Sequence, residues 1–222
     1  MEIMICNKTF RESDFELFEN SERLLFCGAS GSGKSYLVYS LIEKFSHKFD
    51  KILISGGNVS FYEKLSKDIL AKIEFFNEII NPFKYIIQDG FRILYIMDDL
   101  QDSAFKSSDI SKAYRTGRHY HLNLIIIAQT IFVRQPYFRD ISLNVTGIIL
   151  LKSRDLNSVE IFLRQTYGKY GSKKALSAYQ KAMMRPYGHI LFDLKITTPI
   201  ELSVRSNILK TQFPYVIVYD IQ

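Results

Sequence analysis

The sequence predicts an α/β protein with a mainly parallel β-sheet sandwiched by helices, and three observations predict it. Short apolar runs alternate with longer amphipathic stretches, as a repeating βα unit requires. Several runs are near-continuous in apolar character, such as RILYIM at 92–97 after its leading Arg92, as strands covered on both faces are. A glycine-rich loop, Gly28 to Lys34, separates the first run from a helix-forming stretch.

The elements follow in order. Arg23–Cys27 (RLLFC) reads as a strand, and Gly33 to about Phe45 as the helix after it. Lys51–Ser55 (KILIS) is a second strand. Phe61–Ile73 reads as a helix, with Leu65, Ile69 and Leu70 near one face. Arg92–Met97 is the third strand, Ser107–Tyr120 a helix, Leu122–Ala128 (LNLIIIA) the fourth strand and Gly147–Leu151 (GIILL) the fifth. Leu156–Tyr167 and Lys173–Met184 read as two helices, with Gly168 and Gly171 between them as stop signals. His189–Leu194 and Tyr215–Tyr219 are expected as late strands. Residues 74–90 and 196–212 show no decisive pattern.

A chain of 222 residues, 47% hydrophobic and 23% charged, suits one globular domain over residues 1–222. Its core is expected at about 20–170, with 171–222 less defined. Cys6 and Cys27 are the only cysteines, too few for a zinc site or a disulfide framework, which points to a reducing compartment. Met1–Ile5 lacks a basic region and acids crowd residues 12–22, so no signal peptide is expected. No apolar run approaches the ~18 residues of a membrane span. Charge is uneven. Residues 1–100 hold 12 basic and 15 acidic side chains, leaving 29 − 12 = 17 basic and 23 − 15 = 8 acidic in residues 101–222. A basic half points to a polyanion partner, the alternative being a solvated surface.

The strongest motif is Gly28-Ala29-Ser30-Gly31-Ser32-Gly33-Lys34-Ser35, which fits G-x-x-x-x-G-K-[ST] between a strand and a helix. Its glycines let the backbone curl so that successive N–H groups point at phosphate oxygens. Lys34 places a cation on the β- and γ-phosphates, and Ser35 offers a hydroxyl to Mg²⁺. ATP and Mg²⁺ are the expected cofactors. A metal-holding acid should end a neighbouring strand, and Tyr95-Ile96-Met97-Asp98-Asp99-Leu100 supplies one 98 − 34 = 64 residues after the lysine. Asp98 would orient the metal, and Asp99 stands where a water-polarising acid is needed, although it is a methylene shorter than a glutamate. The alternative is that both acids cap the next helix.

In Arg115-Thr116-Gly117-Arg118-His119-Tyr120-His121, followed by the apolar strand and then Gln129-Thr130, the sequence resembles the FtsK–HerA superfamily of P-loop motors. The Gly117-Arg118-His119 triplet is most similar to the genome-packaging ATPases of double-jelly-roll viruses and Polinton-like elements. The likeness continues through Phe138–Lys152, where Gly147 stands in place of an arginine common in those motors. It covers about residues 20–170. The resemblance implies a RecA/FtsK-like P-loop ATPase that translocates double-stranded DNA, reading backbone rather than sequence, and packages a viral genome into a capsid. It also implies a homo-oligomeric ring, a hexamer or pentamer, with capsid proteins as further partners. The expected location is intracellular, in host cytoplasm or nucleus, with virion association. The length leaves no room for an appended nuclease domain. Arg118 is expected to act on the neighbouring subunit's nucleotide, with Arg115 as substitute, and Gln129 to reach the γ-phosphate or attacking water. Arg118 could instead be a helix-terminal cation, and Gln129 a plain strand end.

His119 and His121 lack further ligand-type neighbours and read as turn or surface groups. Arg164–Lys174 (RQTYGKYGSKK) and the polar segment Gln101–Lys112 are the candidate DNA-facing loops. The competing functions are a nucleoside or small-molecule kinase, which lacks an apparent Arg-rich lid here, and a nucleotide-dependent switch, against which Asp99 argues.

Overall fold

β1 (Arg23–Cys27) lies inside a nine-stranded sheet in the computed structural model, which describes residues 17–209 and 216–221. α1 (Lys34–Phe45) follows, then β2 (Lys51–Gly56), α2 (Val59–Tyr62), α3 (Lys67–Leu70) and β3 (Ile73–Phe76). Next come β4 (Ile93–Asp98), α4 (Gln101–Lys106), α5 (Ser108–Thr116), β5 (Leu122–Ala128), α6 (Phe138–Ser142) and β6 (Gly147–Leu150). α7 (Leu156–Met183), β7 (Ile190–Asp193), β8 (Val204–Ser206) and β9 (Ile217–Val218) complete the order. The strands lie in the sequence β3-β2-β4-β5-β1-β6-β7-β8-β9. The first six run parallel; β7, β8 and β9 extend the sheet as antiparallel neighbours. The mainly parallel sheet is therefore as the sequence predicts.

Alternate strand residues feed two cores, because successive side chains leave opposite faces. Leu25, Tyr95, Met97, Leu124 and Ile126 pack with residues of α5 and α7. Leu24, Phe26, Ile96, Ile125 and Ile127 pack with Leu37, Val38, Leu41 and Ile42 of α1. Helices thus cover both faces, and the apolar runs need no polar alternation. Cys27 belongs to this core; burial pushes its thiol up to about 12, so it is no nucleophile at neutral pH.

Three local expectations are corrected. Phe61–Ile73 is not one helix but α2 and α3, because Ser66 turns to an extended conformation (φ −61°, ψ 153°) at the N-terminal boundary of a new helix. Ile73 then opens a strand with Glu74, Phe75 and Phe76, residue types that suit a half-buried sheet edge. Gln101–Lys112 is not a loop. It forms α4 and the start of α5, because Ala104, Phe105 and Ile110 bury fully against the sheet. Between 156 and 183 only Gly168 leaves helical geometry (φ +68°, ψ −170°), and Gly171 stays within the second arm. The late strand expected over Tyr215–Tyr219 is β9; Tyr215 lies outside the described residues, as do residues 1–16 with Met1–Ile5 and Cys6.

Buried polar contacts tie the N-terminal ends of the strands. Asn123 accepts from the Glu22 N–H at 2.8 Å, and its amide donates to the Ile93 carbonyl at 3.3 Å. Glu22 in turn accepts from Thr146 (2.6 Å) and Lys195 (2.8 Å), and Arg205 pairs with Asp193 at 2.6 Å. Each buried charge here has a partner of opposite sign, which offsets its desolvation.

Candidate nucleotide site

The loop Gly28–Ser35 rises from the C-terminal end of β1, between β5 and β6. The Gly28 N–H donates to the Ala128 carbonyl at 3.3 Å, and the Ala29 N–H to the Lys152 carbonyl at 2.8 Å. Gly31 (φ +75°) and Gly33 (φ +96°) take left-handed conformations that a side chain would strain. Lys34 folds back over the loop, its Nζ donating to the carbonyls of Gly28 (2.8 Å) and Ala29 (3.0 Å). Burial lowers its pKa, while the charges of Asp99 and then Asp98 oppose that shift.

Asp98 ends β4 at 2% exposure. Its Oδ2 accepts from the Tyr62 hydroxyl at 3.0 Å, whereas its buried Oδ1 has no hydrogen-bond partner. Burial raises its pKa, and the hydroxyls of Tyr62 and Ser35 pull it back. A hydroxyl beside a carboxylate with an unsatisfied oxygen is the donor chemistry of a hard divalent cation, so these residues fit Mg²⁺. Asp99 is exposed and takes a left-handed turn (φ +56°), which carries it out of the strand.

Three contributors escaped the sequence reading. Gly56 and Gly57, at the end of β2, both have positive φ, and a Cβ on Gly57 would stand 2.8 Å from Asp98 Oδ2. Only glycine lets β2 pass so close to the acid. A Gly-Gly pair after a strand is the signal that marks it. Tyr62 carries no such signal, because its contact with Asp98 joins residues 36 apart.

Gln129 follows β5 at the same edge as the loop; it is exposed, and its N–H donates to Gln101 Oε1 at 2.7 Å. Arg118 stands elsewhere. It sits in the 3₁₀ turn Gly117–Tyr120 that enters β5, at the opposite end of the strand from Ala128 and the phosphate loop. There it borders a cleft of about 900 Å³ lined also by Arg23, Arg92, His121 and Lys195. Arg118 contacts His119 (3.4 Å), and among the described residues no carboxylate pairs with it. Arg23 is lowered in pKa by burial and then by Arg118, and its Nε has no partner. Arg115, by contrast, is held 3.9 Å from Asp140. The structure thus gathers Lys34, Ser35, Asp98, Asp99 and Gln129 at one edge and leaves Arg118 at the other.

The solved structures include fold relatives. The genome-packaging NTPase B204 of Sulfolobus turreted icosahedral virus 2, in complex with AMP, superposes with a TM-score of 0.54 at 18% identity, over 84% of this chain and 96% of that one. The same protein with ATP-gammaS gives 0.52 at 20% identity, over 78% and 92%. The DNA-packaging ATPase B204 of Sulfolobus turreted icosahedral virus gives 0.52 at 18%, over 79% and 93%. At these identities the likeness establishes the fold. No curated protein matches the chain. The sequence profile of the poxvirus A32 protein matches residues 8–160, a span that holds the phosphate loop, both acids, Arg118 and Gln129. The chain belongs to the poxvirus A32 protein family, and it shares its fold with viral genome-packaging NTPases.

Proposed function

We propose that the chain is one subunit of a ring that hydrolyses Mg²⁺-ATP to drive double-stranded DNA into a capsid inside the infected cell. One observation carries the reading: Asp98 presents an unpartnered buried oxygen beside Ser35 and Lys34, while Arg118, unpaired with any described carboxylate, is at the far edge. In this reading the backbone N–H groups of Gly28–Ser35 hold the phosphates, and Lys34 exchanges its loop carbonyls for β- and γ-phosphate oxygens. Ser35 and Asp98 would hold Mg²⁺, which neutralises charge on those phosphates. Asp99 polarises the attacking water from its exposed turn, and Gln129 orients it. A cation must then come from a second subunit, since Arg118 cannot reach its own site.

The acids separate by experiment. Asp99→Asn should keep Mg²⁺-ATP bound but stalled, whereas Asp98→Asn should weaken the Mg²⁺-dependent part of binding; calorimetry with and without Mg²⁺ reads both. The reverse pattern would exchange their roles.

For DNA, the second arm of α7 exposes Lys169, Tyr170, Lys173 and Lys174 on one short stretch. Fixed cations beside an aromatic suit contact with the phosphate backbone. Phosphate release with and without duplex DNA tests the function: stimulation by DNA supports the motor, and dependence on a small acceptor would replace it with a kinase. In binding assays, log affinity should fall linearly with log salt, and neutralising the three lysines should flatten that slope by about 2.7 if each meets one phosphate. An unchanged slope would move the contact to α4 and α5, where Lys106 and Lys112 are exposed.

A further inference from the structure

A bound triphosphate has only one direction in which to send its nucleoside. Asp98, beside Ser35 and Lys34, draws the terminal phosphates toward β4, which lies on the β5 side of β1. The base must therefore leave on the other side, over β6 and β7. At that edge Ile190 of β7 pairs with Leu150 of β6, and the chain entering β7 passes directly beside the phosphate loop. Tyr187 is in that entry segment. A Cβ placed on Gly33 would stand 2.9 Å from its Cδ1, so the ring already rests against the loop.

Three features make Tyr187 unlike a surface tyrosine. It is 69% exposed although it touches the core motif of the site. Its backbone is left-handed (φ +52°), a conformation that bulky residues avoid. The turn that imposes this is firmly built: the Gly188 N–H donates to the Arg185 carbonyl at 3.1 Å, and a Cβ on Gly188 would lie 2.0 Å from the Ala182 carbonyl oxygen. His189, 8% exposed, then anchors the segment at the start of β7. An outlier held in place this way at a ligand site points to a role for the side chain it presents. The other exposed aromatic nearby, Tyr36 in the first turn of α1, already has a partner ring: it stacks on Tyr39 at 6.5 Å and 12°. Among the described residues Tyr187 stacks on no aromatic ring.

Resting on the nucleotide-binding reading above, we infer that Tyr187 is the platform on which the base of a bound nucleoside triphosphate stacks. The flat face of a purine is the chemistry it fits, and stacking of this kind tolerates either adenine or guanine because both present a π-face. Tyr187 would set affinity for the nucleoside while the loop sets affinity for the phosphates.

The two halves can be titrated apart with ATP and with inorganic tripolyphosphate, both with Mg²⁺, against the full chain by calorimetry. Tyr187→Ala should weaken ATP roughly tenfold, the size of one lost base stack, and leave tripolyphosphate within about twofold. Tyr187→Phe should bind ATP as the wild type does, since the ring remains. Equal losses for both ligands would make Tyr187 a packing residue of the loop and overturn the inference. So would an unchanged ATP affinity in the alanine variant, or a phenylalanine variant as weak as alanine. A wild-type chain that binds neither ligand would instead remove the nucleotide-binding reading on which the inference rests.

Discussion

Lys34→Ala is expected to lower ATP hydrolysis by on the order of 10²–10³ while the fold persists. Lys34 is 8% exposed, and its amine donates to the carbonyls of Gly28 and Ala29. Nucleotide binding would exchange those carbonyls for phosphate oxygens, whose negative charge grows toward the leaving group as the terminal bond breaks. Removing the cation therefore costs more in the transition state than in the ground state, and kcat should fall further than affinity. Stability should change little. Two hydrogen bonds from a charged amine to loop carbonyls are lost, each contributing roughly 1.5–3 kcal/mol, but the desolvation cost of the buried amine goes with them and offsets much of that. Circular dichroism and thermal unfolding should show the native spectrum with Tm within several degrees of wild type. Wild-type turnover at saturating ATP would refute the assignment of this loop, and an unfolded variant would show that Lys34 is structural.

Arg118 carries the second large effect, and it should appear in trans. Alanine there is expected to lower the rate by roughly 10³–10⁵, the range of an arginine supplied to a transferring phosphoryl group by a neighbouring subunit. The position explains why the effect cannot be internal: Arg118 enters β5, whereas the phosphate loop stands beyond Ala128 at the other end of that strand. A guanidinium with Arg23 nearby and no described carboxylate partner is a charge awaiting an anion, and its planar fork meets two phosphate oxygens at once. Arg118→Ala and Lys34→Ala proteins should each be nearly inactive. Mixed in one ring, they should regain hydrolysis wherever an intact Lys34 faces an intact Arg118. If mixed rings form and remain dead, or if Arg118→Ala alone retains full activity, the trans assignment falls. Recovery with Arg115→Ala in place of Arg118→Ala would shift the role by one helical turn, at the cost of the Asp140 contact that now holds Arg115.

What could be read in advance divides along a physical line. The five parallel strands predicted from apolar runs were legible because a strand covered on both faces must be largely apolar, with hydrogen-bonded exceptions such as Ser55 and Asn123, and that constraint is written locally. The phosphate loop was legible for the same reason: Gly31 and Gly33 need positive φ, and Lys34 and Ser35 follow at a spacing the loop itself dictates. β3 and β8 were not, because IEFF and VRS are short and acquire their identity only from the strands beside them. α4 looked like a polar loop until the sheet buried Ala104 and Phe105. Gly168 and Gly171 looked equivalent as stop signals, yet only Gly168 breaks the helix.

The site divides the same way. The sequence by itself marked the phosphate loop through the spacing of its glycines, lysine and serine, and the acid pair through its place after an apolar strand, whereas Arg118 came only from the resemblance to FtsK–HerA motors. Only the tertiary structure decided that Gly57 and Tyr62 close around Asp98, that Gly33 meets Tyr187, and that Arg118 stands at the opposite edge. Those contacts join residues from 36 to more than 150 positions apart, and no local propensity records them. They exist because strand order in the sheet, set by burial of whole faces, brings distant chain ends to one edge.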